Sequence, residues 1–539
     1  MRLISAGLLL ASPALFAQET LPPYHWANSY VDYLKVRGHL PELSVSERPY
    51  SRQQLARQLL EIDWDALGTG SRERQMVKLL FREFAPEMEM LGRLPDQKWK
   101  ELLQRALDIL QLRLFPESAG PQLKIGVFGE GAYNYSDQDL AEEFDIDLHP
   151  QVGLFWKDHL TLYNNTRVFN NADSGYIGKE YKDLYAYTEQ AYIALQYRWV
   201  QAKFGRDFLQ IGPGRSGQLL ISDNSQPFDM YHFRLGNKFL QFSFWGIALD
   251  RMIVSDSTRT PATFPANRYL NGHRLSLNIK NKFFFGVSEA VLYGGPNRGW
   301  EFGYMNPFGL YYAHNVNQEP GASQGNLFYQ IDWDLYPFPN WEIYGEFLID
   351  DFQVDNESPG DLEPNELGLI AGVNWANPLG LQGGLFNAEY VQVRNRTYNV
   401  AADAWNKYLH RNEVIGYSLG NNFERIGVSL GDWIRPELNL RLFATLVRQG
   451  EGSVQGEFNN DFMNYTVEEG YSEPFPFGVV ERHLQWGLSA FYKPHSLGHL
   501  QVDLGFNDFK NYGNMEGTTF SEFSARFSLW LQWSRLFGW

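Results

Sequence analysis

The sequence contains no cysteine among its 539 residues. This absence excludes a disulfide framework, a thiolate metal site and a membrane anchor through a lipidated cysteine. A chain of this size without disulfides must be stabilised in another way, and a closed β-sheet is one such way.

Long apolar runs and an excess of basic residues are also missing. Mean hydropathy is −0.38, and beyond residue 17 no run reaches the roughly 18 apolar residues that identify a transmembrane helix. The net charge is −17. Because a phosphate backbone requires a basic surface, we expect no nucleic-acid partner.

Motifs for catalysis or for a cofactor are incomplete. Gly212, Gly214 and Gly217 spell G-x-G-x-x-G, but no amphipathic helix follows to bind a pyrophosphate, so we interpret them as loop-forming glycines. His495 and His499 lie in a turn, where we expect solvated side chains and no metal site. We therefore expect no enzyme activity, no cofactor and no metal, although a triad assembled only in space stays open.

Aromatic residues, in contrast, are abundant. They make up 16% of the chain, with 39 Phe, 30 Tyr and 16 Trp. Membrane β-barrels use such side chains in girdles at the two lipid–water boundaries. The polar lumen and loops of a barrel also lower the mean hydropathy, although every second strand residue stays apolar.

The first residues have the layout of a secretory signal. Arg2 supplies a positive charge, residues 3–16 are mostly apolar, and Ala17 offers a cleavage site before Gln18. Residues 1–17 are therefore predicted to be a signal peptide, with a buried N-terminal helix as the alternative.

Helical spacing characterises residues 24–115. One amphipathic segment stops at Gly38, Ser51 and Gln54 form a capping box for the next, and Ser71 precedes a third that ends before Pro86. A last helix is predicted after Pro95. Four short amphipathic helices indicate a small bundle, so we predict a periplasmic helical domain over residues 24–115.

From residue 121 to residue 539 the apolar period becomes two, as in the alternation of Leu438, Leu440 and Leu442 with polar neighbours. The connections alternate in length. Short turns are predicted near 157–158, 197–199, 236–238, 280–282, 337–340, 376–380, 432–436 and 493–498. Longer loops are predicted near 136–149, 169–184, 209–230, 250–271, 291–325, 350–365, 393–423, 448–482 and 509–519.

That alternation is typical of an outer-membrane barrel, whose periplasmic turns are short and whose extracellular loops are long. A soluble sandwich has no reason to sort its connections in this way. The pattern predicts a mainly β fold, a transmembrane antiparallel β-barrel of about 18 strands over residues 121–539, with 16 strands as the alternative. The final amphipathic strand, which ends at the aromatic Trp539, resembles the signal for outer-membrane assembly.

Two long loops mix aromatic side chains with amides. Aromatic faces stack on the C–H faces of sugar rings, and amides bond to sugar hydroxyls. The candidate polysaccharide-binding residues are Arg298, Trp300, Tyr304, Asn306, Tyr311, Tyr312, Arg394, Tyr398 and Trp405. The alternative is that these rings pack the loops on one another as a plug or lid.

Several short motifs resemble those of the Wzi-type capsule-assembly family. They are Phe204-Gly-Arg-Asp207, Gly212-Pro-Gly214, Leu219-Leu-Ile-Ser-Asp-Asn224, Asn271-Gly-His-Arg-Leu275, Ser288-Glu-Ala-Val-Leu-Tyr-Gly294, Tyr304-Met-Asn-Pro307, Tyr344-Gly-Glu-Phe-Leu-Ile-Asp-Asp-Phe352, Asn387-Ala-Glu-Tyr390 and Thr397-Tyr-Asn399. The resemblance covers roughly residues 120–430. Its family-like site candidates are Arg206, Asp207, Gly212, Gly214, Ser222, Asp223, Asn224, Asp350 and Asp351.

The resemblance implies an 18-stranded outer-membrane barrel with a periplasmic helical bundle. It also implies a lectin-like protein that organises exported capsular polysaccharide at the cell surface, with outer-membrane lipid around it. The segment Tyr30–Leu60, with Arg48-Pro-Tyr-Ser-Arg52, resembles a surface-layer-homology unit, which suggests peptidoglycan or secretion machinery as a periplasmic partner. The alternatives are a diffusion porin and a barrel enzyme.

The topology predicts where proteases reach the protein on intact cells. Cleavage is expected within loop 448–482, and the turns at 280–282 and 432–436 should be spared because they face the periplasm. Mass spectrometry of the fragments checks this pattern. Cuts at those two turns in intact cells would reverse the topology.

Overall fold

The computed structural model of the chain describes residues 19–65, 67–90, 121–137, 143–156, 159–172, 176, 178–197, 199–255, 263–317, 324–355, 357–495 and 497–538. The predicted signal peptide and the helix predicted after Pro95 lie outside these residues.

Within the described residues, 18 antiparallel strands form one closed β-barrel. In chain order they are β1 Pro121–Ser136, β2 Glu143–Trp156, β3 Leu160–Phe169, β4 Tyr185–Tyr197, β5 Val200–Asp207, β6 Phe228–Gly236, β7 Leu240–Ala248, β8 Thr263–Ile279, β9 Phe283–Pro296, β10 Asn326–Leu335, β11 Trp341–Asp351, β12 Glu366–Ala376, β13 Gly384–Val393, β14 Phe423–Arg435, β15 Leu438–Gln449, β16 Glu481–His495, β17 Gly498–Lys510 and β18 Thr519–Gly538. The barrel closes because β1 pairs with β18 along its length. The predicted strand number is confirmed.

Side chains alternate between the interior and the outer face of the barrel. In β11, Glu342, Tyr344 and Glu346 are buried in the interior. Ile343 lies between them in sequence and is exposed on the outer face, as Val287 is in β9. This period of two gives the barrel a polar interior and an apolar outer surface.

Long and short connections alternate along the barrel. Short turns such as 280–282 and 436–437 lie at one end, and the longer loops lie at the other. Three loops were predicted too long, since strands β2, β8 and β9 extend into them. The reason is that polar and glycine residues, such as Gly294 and Gly295, remain paired in the ladder.

Four helices precede the barrel among the described residues: α1 Ala27–Val36, α2 Arg52–Leu60, α3 Arg72–Glu83 and α4 Ala85–Met90. Ser51 accepts a hydrogen bond from the backbone N–H of Gln54, and Ser71 accepts one from Arg74, so both predicted caps form. Gly38 follows α1 with a φ of +83°, the left-handed conformation that commonly ends a helix. Helix α4 was not predicted.

Shorter elements lie in the loops. Helices α5 Phe302–Met305 and α6 Tyr311–Val316 connect β9 with β10. Paired two-residue strands join Glu47–Arg48 with Gln210–Ile211 and Leu409–His410 with Glu413–Val414, and Met252–Ser255 pairs with β8 beyond the end of β7. Short 3-10 turns occupy Pro359–Leu362, Pro378–Gly380, Ala404–Asn406, Asp461–Asn464 and Tyr512–Asn514.

The helices pack against the short-turn end of the barrel. The ring of Tyr30 lies 4.1 Å from that of Trp433 between centroids, and its hydroxyl donates to the carbonyl of Pro436 at 2.9 Å. The hydroxyl of Tyr33 donates to Asn377 at 2.9 Å. Helical and barrel side chains thus share one apolar core.

Arg52 holds the helices together through buried carboxylates. Its guanidinium donates to Glu87 at 2.6 Å and to Glu83 at 3.0 Å, and Glu19 lies 3.8 Å away. The Arg52 side chain is almost fully buried. A buried cation among three carboxylates compensates charges that would otherwise be costly to bury.

The substitution Arg52→Ala should therefore destabilise the helices by about 3–5 kcal/mol, because it leaves buried carboxylates without their cation. Limited proteolysis of the detergent-solubilised protein at rising temperature measures this effect, with cleavage in residues 19–90 expected at a lower temperature. The exposed Arg82 gives the matched control, Arg82→Ala. Equal resistance of the two variants would show that the carboxylate cluster contributes little.

Candidate functional site

The loop between β5 and β6, residues 208–227, lies inside the barrel and is called here the inner loop. The Glu346 carboxylate on β11 accepts backbone N–H groups from Gly214 and Leu219, each at 2.8 Å. Glu389 on β13 accepts the backbone N–H of Arg215 at 2.8 Å. Carboxylates on the inner wall thus hold the loop by its backbone.

Two glycines of the family-like motif permit this close approach. Gly212 has a φ of +129°, and a Cβ there would lie 2.2 Å from the Glu346 carboxylate. A Cβ at Gly214 would lie 2.1 Å from the carbonyl oxygen of Gly217. Side chains at these positions would push the loop off its carboxylate.

The N-terminal segment meets the inner loop from the opposite end of the barrel. The backbone N–H of Gly212 donates to Ser46 at 2.9 Å, and Glu47 pairs with Ile211 in a short antiparallel ladder. Arg215 donates to Asp32 at 2.7 Å. Chain segments therefore fill the interior from both ends.

The loop between β13 and β14, residues 394–422, covers the inner loop. Tyr398 donates its hydroxyl to the carbonyl of Leu219 at 2.6 Å, and Tyr408 donates to that of Leu220 at 2.7 Å. Both tyrosine rings are buried and stacked, with 5.4 Å between their centroids. These hydrogen bonds satisfy two buried backbone carbonyl groups of the inner loop.

The same loop engages the rest of the motif Ser222-Asp-Asn224. The backbone N–H of Ser222 donates to Ile415 at 2.8 Å, and the Asn224 amide donates to Val414 at 2.9 Å. Asp223 is exposed and accepts from the Ser222 hydroxyl. This motif joins the inner loop to its cover.

The loop between β15 and β16, residues 450–480, packs on residues 394–422, and the two together are called the lid. The buried Arg396 donates to both carboxylate oxygens of Glu473, at 2.8 and 3.0 Å, and to the carbonyl of Asn459 at 2.7 Å. Such a two-pronged pair fixes the relative position of the two loops.

The acidic and basic motif residues have structural partners as well. Asp207 accepts from Gln190 at 2.8 Å and from Thr20 of the N-terminal segment at 3.0 Å. Arg206 donates to Asp229 at 2.8 Å near the barrel rim.

The Asp350 and Asp351 pair lies at the end of β11. Asp350 accepts the backbone N–H of Tyr398 at 2.6 Å, whereas Asp351 is exposed and accepts from Phe352. In the following loop, burial and the charge of Asp351 raise the pKa of Glu363 to about 7. Because Asp350 binds the backbone of Tyr398, it helps to hold the lid.

The predicted binding residues fall into two groups that the fold does not merge into one exposed surface. Arg394, Tyr398 and Trp405 belong to the lid, and the others belong to the loop of α5 and α6. The buried members are Tyr304, Tyr311, Tyr398 and Trp405. The exposed members are Trp300, Asn306, Tyr312 and Arg394, and Arg298 is paired with Glu301.

The lid presents a further aromatic surface, which includes the predicted Arg394 but whose three rings were not among the predicted residues. Arg394 lies over the ring of Phe475 at 4.5 Å, and the rings of Tyr465 and Tyr471 are 5.1 Å apart. These four residues are called the aromatic rim. Burial and a hydrogen bond to Glu473 raise the pKa of Tyr471 to about 12, so its hydroxyl stays protonated.

The sequence contained a usable signal for this rim. Predicted loop 448–482 mixes aromatic residues with the amides of Asn459, Asn460 and Asn464, the same mixture that identified the other two loops. Only the structure shows that the rings of Tyr304, Tyr311, Tyr398 and Trp405 are buried, whereas that of Tyr465 is exposed.

Metal-binding residues do not cluster in the part of the chain that the structure describes, since no group of three His, Asp or Glu residues there has a suitable arrangement. His499 is buried and lies against the ring of Trp530, with 5.6 Å between centroids. The expectation that His499 is solvated was wrong, because the turn is shorter than predicted and this residue lies within β17.

The substitution Arg396→Ala should release loop 450–480 from residues 394–422, since it removes three hydrogen bonds and leaves Glu473 without its cation, at a cost of about 3–5 kcal/mol. Hydrogen exchange of backbone amides in residues 450–480 should become faster. Arg394→Ala, two residues away and exposed, is the control. It removes only the contact with the ring of Phe475 and should accelerate the exchange much less. Slow exchange in both variants would mean that other contacts hold this loop.

Comparisons with known proteins agree with the fold. The family model described as capsule assembly protein Wzi matches residues 123–522. The structure is similar to that of Wzi, described as an outer membrane protein involved in group 1 capsule assembly in Escherichia coli and as a carbohydrate-binding β-barrel, with a TM-score of 0.58 and 13% identity over 96% of this chain and 99% of that chain. No curated protein sequence matches the chain.

Two Pseudomonas aeruginosa outer membrane proteins are less similar. OprD gives a TM-score of 0.42 and 11% identity over 79% of this chain and 97% of its own. OpdK gives a TM-score of 0.44 and 10% identity over 77% of this chain and 99% of its own. The Wzi family model, in contrast, spans most of the barrel. The chain is an outer-membrane β-barrel that belongs to the capsule assembly protein Wzi family.

Proposed function

We propose that this protein is a lectin-like outer-membrane protein that binds or organises capsular polysaccharide or exopolysaccharide at the cell surface without chemical turnover. The observation that carries the proposal is the aromatic rim on the lid. Long loops of outer-membrane barrels face the exterior, so this lid lies where an exported polymer passes.

The chemistry of the rim suits a polysaccharide. Tyr465 and Phe475 offer ring faces for the C–H faces of sugars. The hydroxyl of Tyr471 donates its proton to Glu473 at 2.8 Å and keeps its oxygen as an acceptor for a sugar hydroxyl. Exposed amides of Asn460 and Asn464 lie in the same loop. A surface of rings and amides binds sugars weakly at each site, which suits a repeating polymer.

Charge limits which polymers bind. The chain has a net charge of −17, so an acidic polysaccharide is repelled unless a local cation compensates. Arg394 supplies such a cation on the rim. Arg298, the other basic candidate, is paired with Glu301 at 2.6 Å. The candidate rings of Tyr304, Tyr311, Tyr398 and Trp405 support the loops rather than contact the polymer.

A diffusion porin explains the interior less well. The inner loop crosses the lumen and is bound to the opposite wall through Glu346 and Glu389. The N-terminal segment joins it from the other end. An open pathway would require these segments to leave the barrel, so conductance in a planar bilayer is expected to be small.

We also propose that the helices face the periplasm, because they pack at the short-turn end. Peptidoglycan or secretion machinery is the proposed partner there. Arg48 and Arg52, the basic residues of the surface-layer-homology-like segment, are used inside the molecule: Arg48 donates to Gly214 at 3.2 Å, and Arg52 donates to Glu83 and Glu87. A partner would therefore contact other residues of the helical region.

The triple variant with Arg394→Ala, Tyr465→Ala and Phe475→Ala should retain less labelled polysaccharide on cells. Each ring contributes about 0.5–1.5 kcal/mol in comparable aromatic contacts, and a tenfold loss of affinity corresponds to about 1.4 kcal/mol. Several-fold lower retention is expected because the contacts repeat along the polymer. Retention is measured only on variants whose barrels are shown to insert.

Tyr512→Ala is the matched control, since Tyr512 lies on another long loop with the same 43% exposure as Tyr465. It should retain polymer like the parent. An inserted triple variant with full retention would remove the rim as the contact. Large, stable conductance steps of the parent protein would favour the porin instead.

A further inference from the structure

Polar side chains lie on the outer, apolar face of the barrel between β8 and β9. His273 pairs with Glu289 across the two strands, and the next outward pair is Leu275 with Val287. Both of these apolar side chains are 44% exposed. Because side chains alternate with a period of two and no bulge interrupts the register, His273 and Glu289 share their outward face.

The polar pair lies at membrane depth. His273 is six residues from Ile279, where β8 meets the short turn, and this separation corresponds to about 20 Å along the strand. The apolar band of an outer-membrane barrel is about 25 Å tall and its strands are tilted. A histidine and a carboxylate facing bare lipid at this depth would be unfavourable.

The loop of α5 and α6 covers this pair. The backbone N–H of Tyr312 donates to the Glu289 carboxylate at 3.0 Å. The centroid of the Tyr311 ring lies 4.6 Å from that of the His273 ring. His273 and Glu289 are themselves 3.2 Å apart. Glu289 is buried although its strand position faces outward.

Aromatic contacts clamp the same loop to the outer wall. Trp300 lies 4.6 Å from Tyr269 on β8, between ring centroids. Phe308 stacks on Phe242 of β7 at 5.3 Å. Phe242 pairs with Leu275 across β7 and β8, on the outward face, so the loop extends past the His273–Glu289 pair toward the short-turn end.

The other side of the loop is exposed, and large apolar side chains dominate it beside the amides of Asn306 and Asn317. Residues 302–317 contain no Asp, Glu, Lys or Arg. Its exposed large side chains are Phe302, Phe308, Leu310, Tyr312 and Val316, and Phe302 and Phe308 reach 88% and 81% exposure. This surface is continuous with the apolar outer wall of β7–β9.

We propose that residues 302–317, called the membrane hairpin, lie within the bilayer against the outer wall of the barrel, with lipid acyl chains packed on Phe302, Phe308 and Leu310. The hairpin provides polar and aromatic contacts to His273 and Glu289, and it covers this pair with an apolar surface that faces the lipid. Its placement is independent of the polysaccharide proposal, because it concerns the lipid-facing side and not the lid.

The absence of cysteine makes a direct test straightforward. Single variants Phe302→Cys, Phe308→Cys and Leu310→Cys are made in the full chain, inserted into lipid vesicles and labelled with a small fluorophore. Leu529→Cys on the wall of β18 is the lipid-exposed control, and Met463→Cys on the lid is the water-exposed control. Both control side chains are exposed.

Brominated acyl chains should quench a fluorophore at residue 308 as strongly as one at residue 529, and aqueous iodide should quench neither. The fluorophore at residue 463 should show the reverse. Iodide quenching at residues 302, 308 and 310 like that at 463 would overturn the proposal by placing the hairpin in water. Protection of all three from both quenchers would also overturn it, since protein and not lipid would then cover the surface.

Discussion

The carboxylate of Glu346 organises the interior of the barrel. It accepts two backbone N–H groups of the inner loop, and because Glu346 is fully buried, these bonds replace the solvation that both partners lose. The inner loop in turn gives Tyr398 and Tyr408 the carbonyls that hold the lid. The lid therefore depends on this wall carboxylate, which holds the inner loop together with Glu389.

Because chain segments fill the interior, the proposed binding surface lies on the outside of the barrel. An 18-stranded barrel is wide enough for a channel, but here the inner loop and the N-terminal segment meet inside it. The proposal for polysaccharide binding therefore uses the outer surface of the lid, where Arg394 lies over the half-buried ring of Phe475. The same loops that close the lumen therefore display the aromatic rim.

The outer wall shows a different use of a long loop. Its His273 and Glu289 pair needs partners that lipid does not provide, and the hairpin supplies them through the Tyr312 backbone and the Tyr311 ring. In the membrane-hairpin proposal, these contacts give a structural role to the aromatic side chains in residues 296–325, for which a sugar site stays a prediction. Composition shows that a loop is rich in rings, but not which surface the rings meet.

The sequence by itself determined the barrel, because the period of two, the alternating lengths of the connections and the caps at Ser51 and Ser71 are local signals. It also identified Gly212 and Gly214 as loop-forming residues. Only the tertiary structure decided that these glycines approach Glu346, more than a hundred residues later in sequence, and that Tyr304 and Tyr398 are buried whereas Tyr465 is exposed. The physical reason is that burial of a loop residue depends on which distant wall its loop packs against, and no local pattern contains that information.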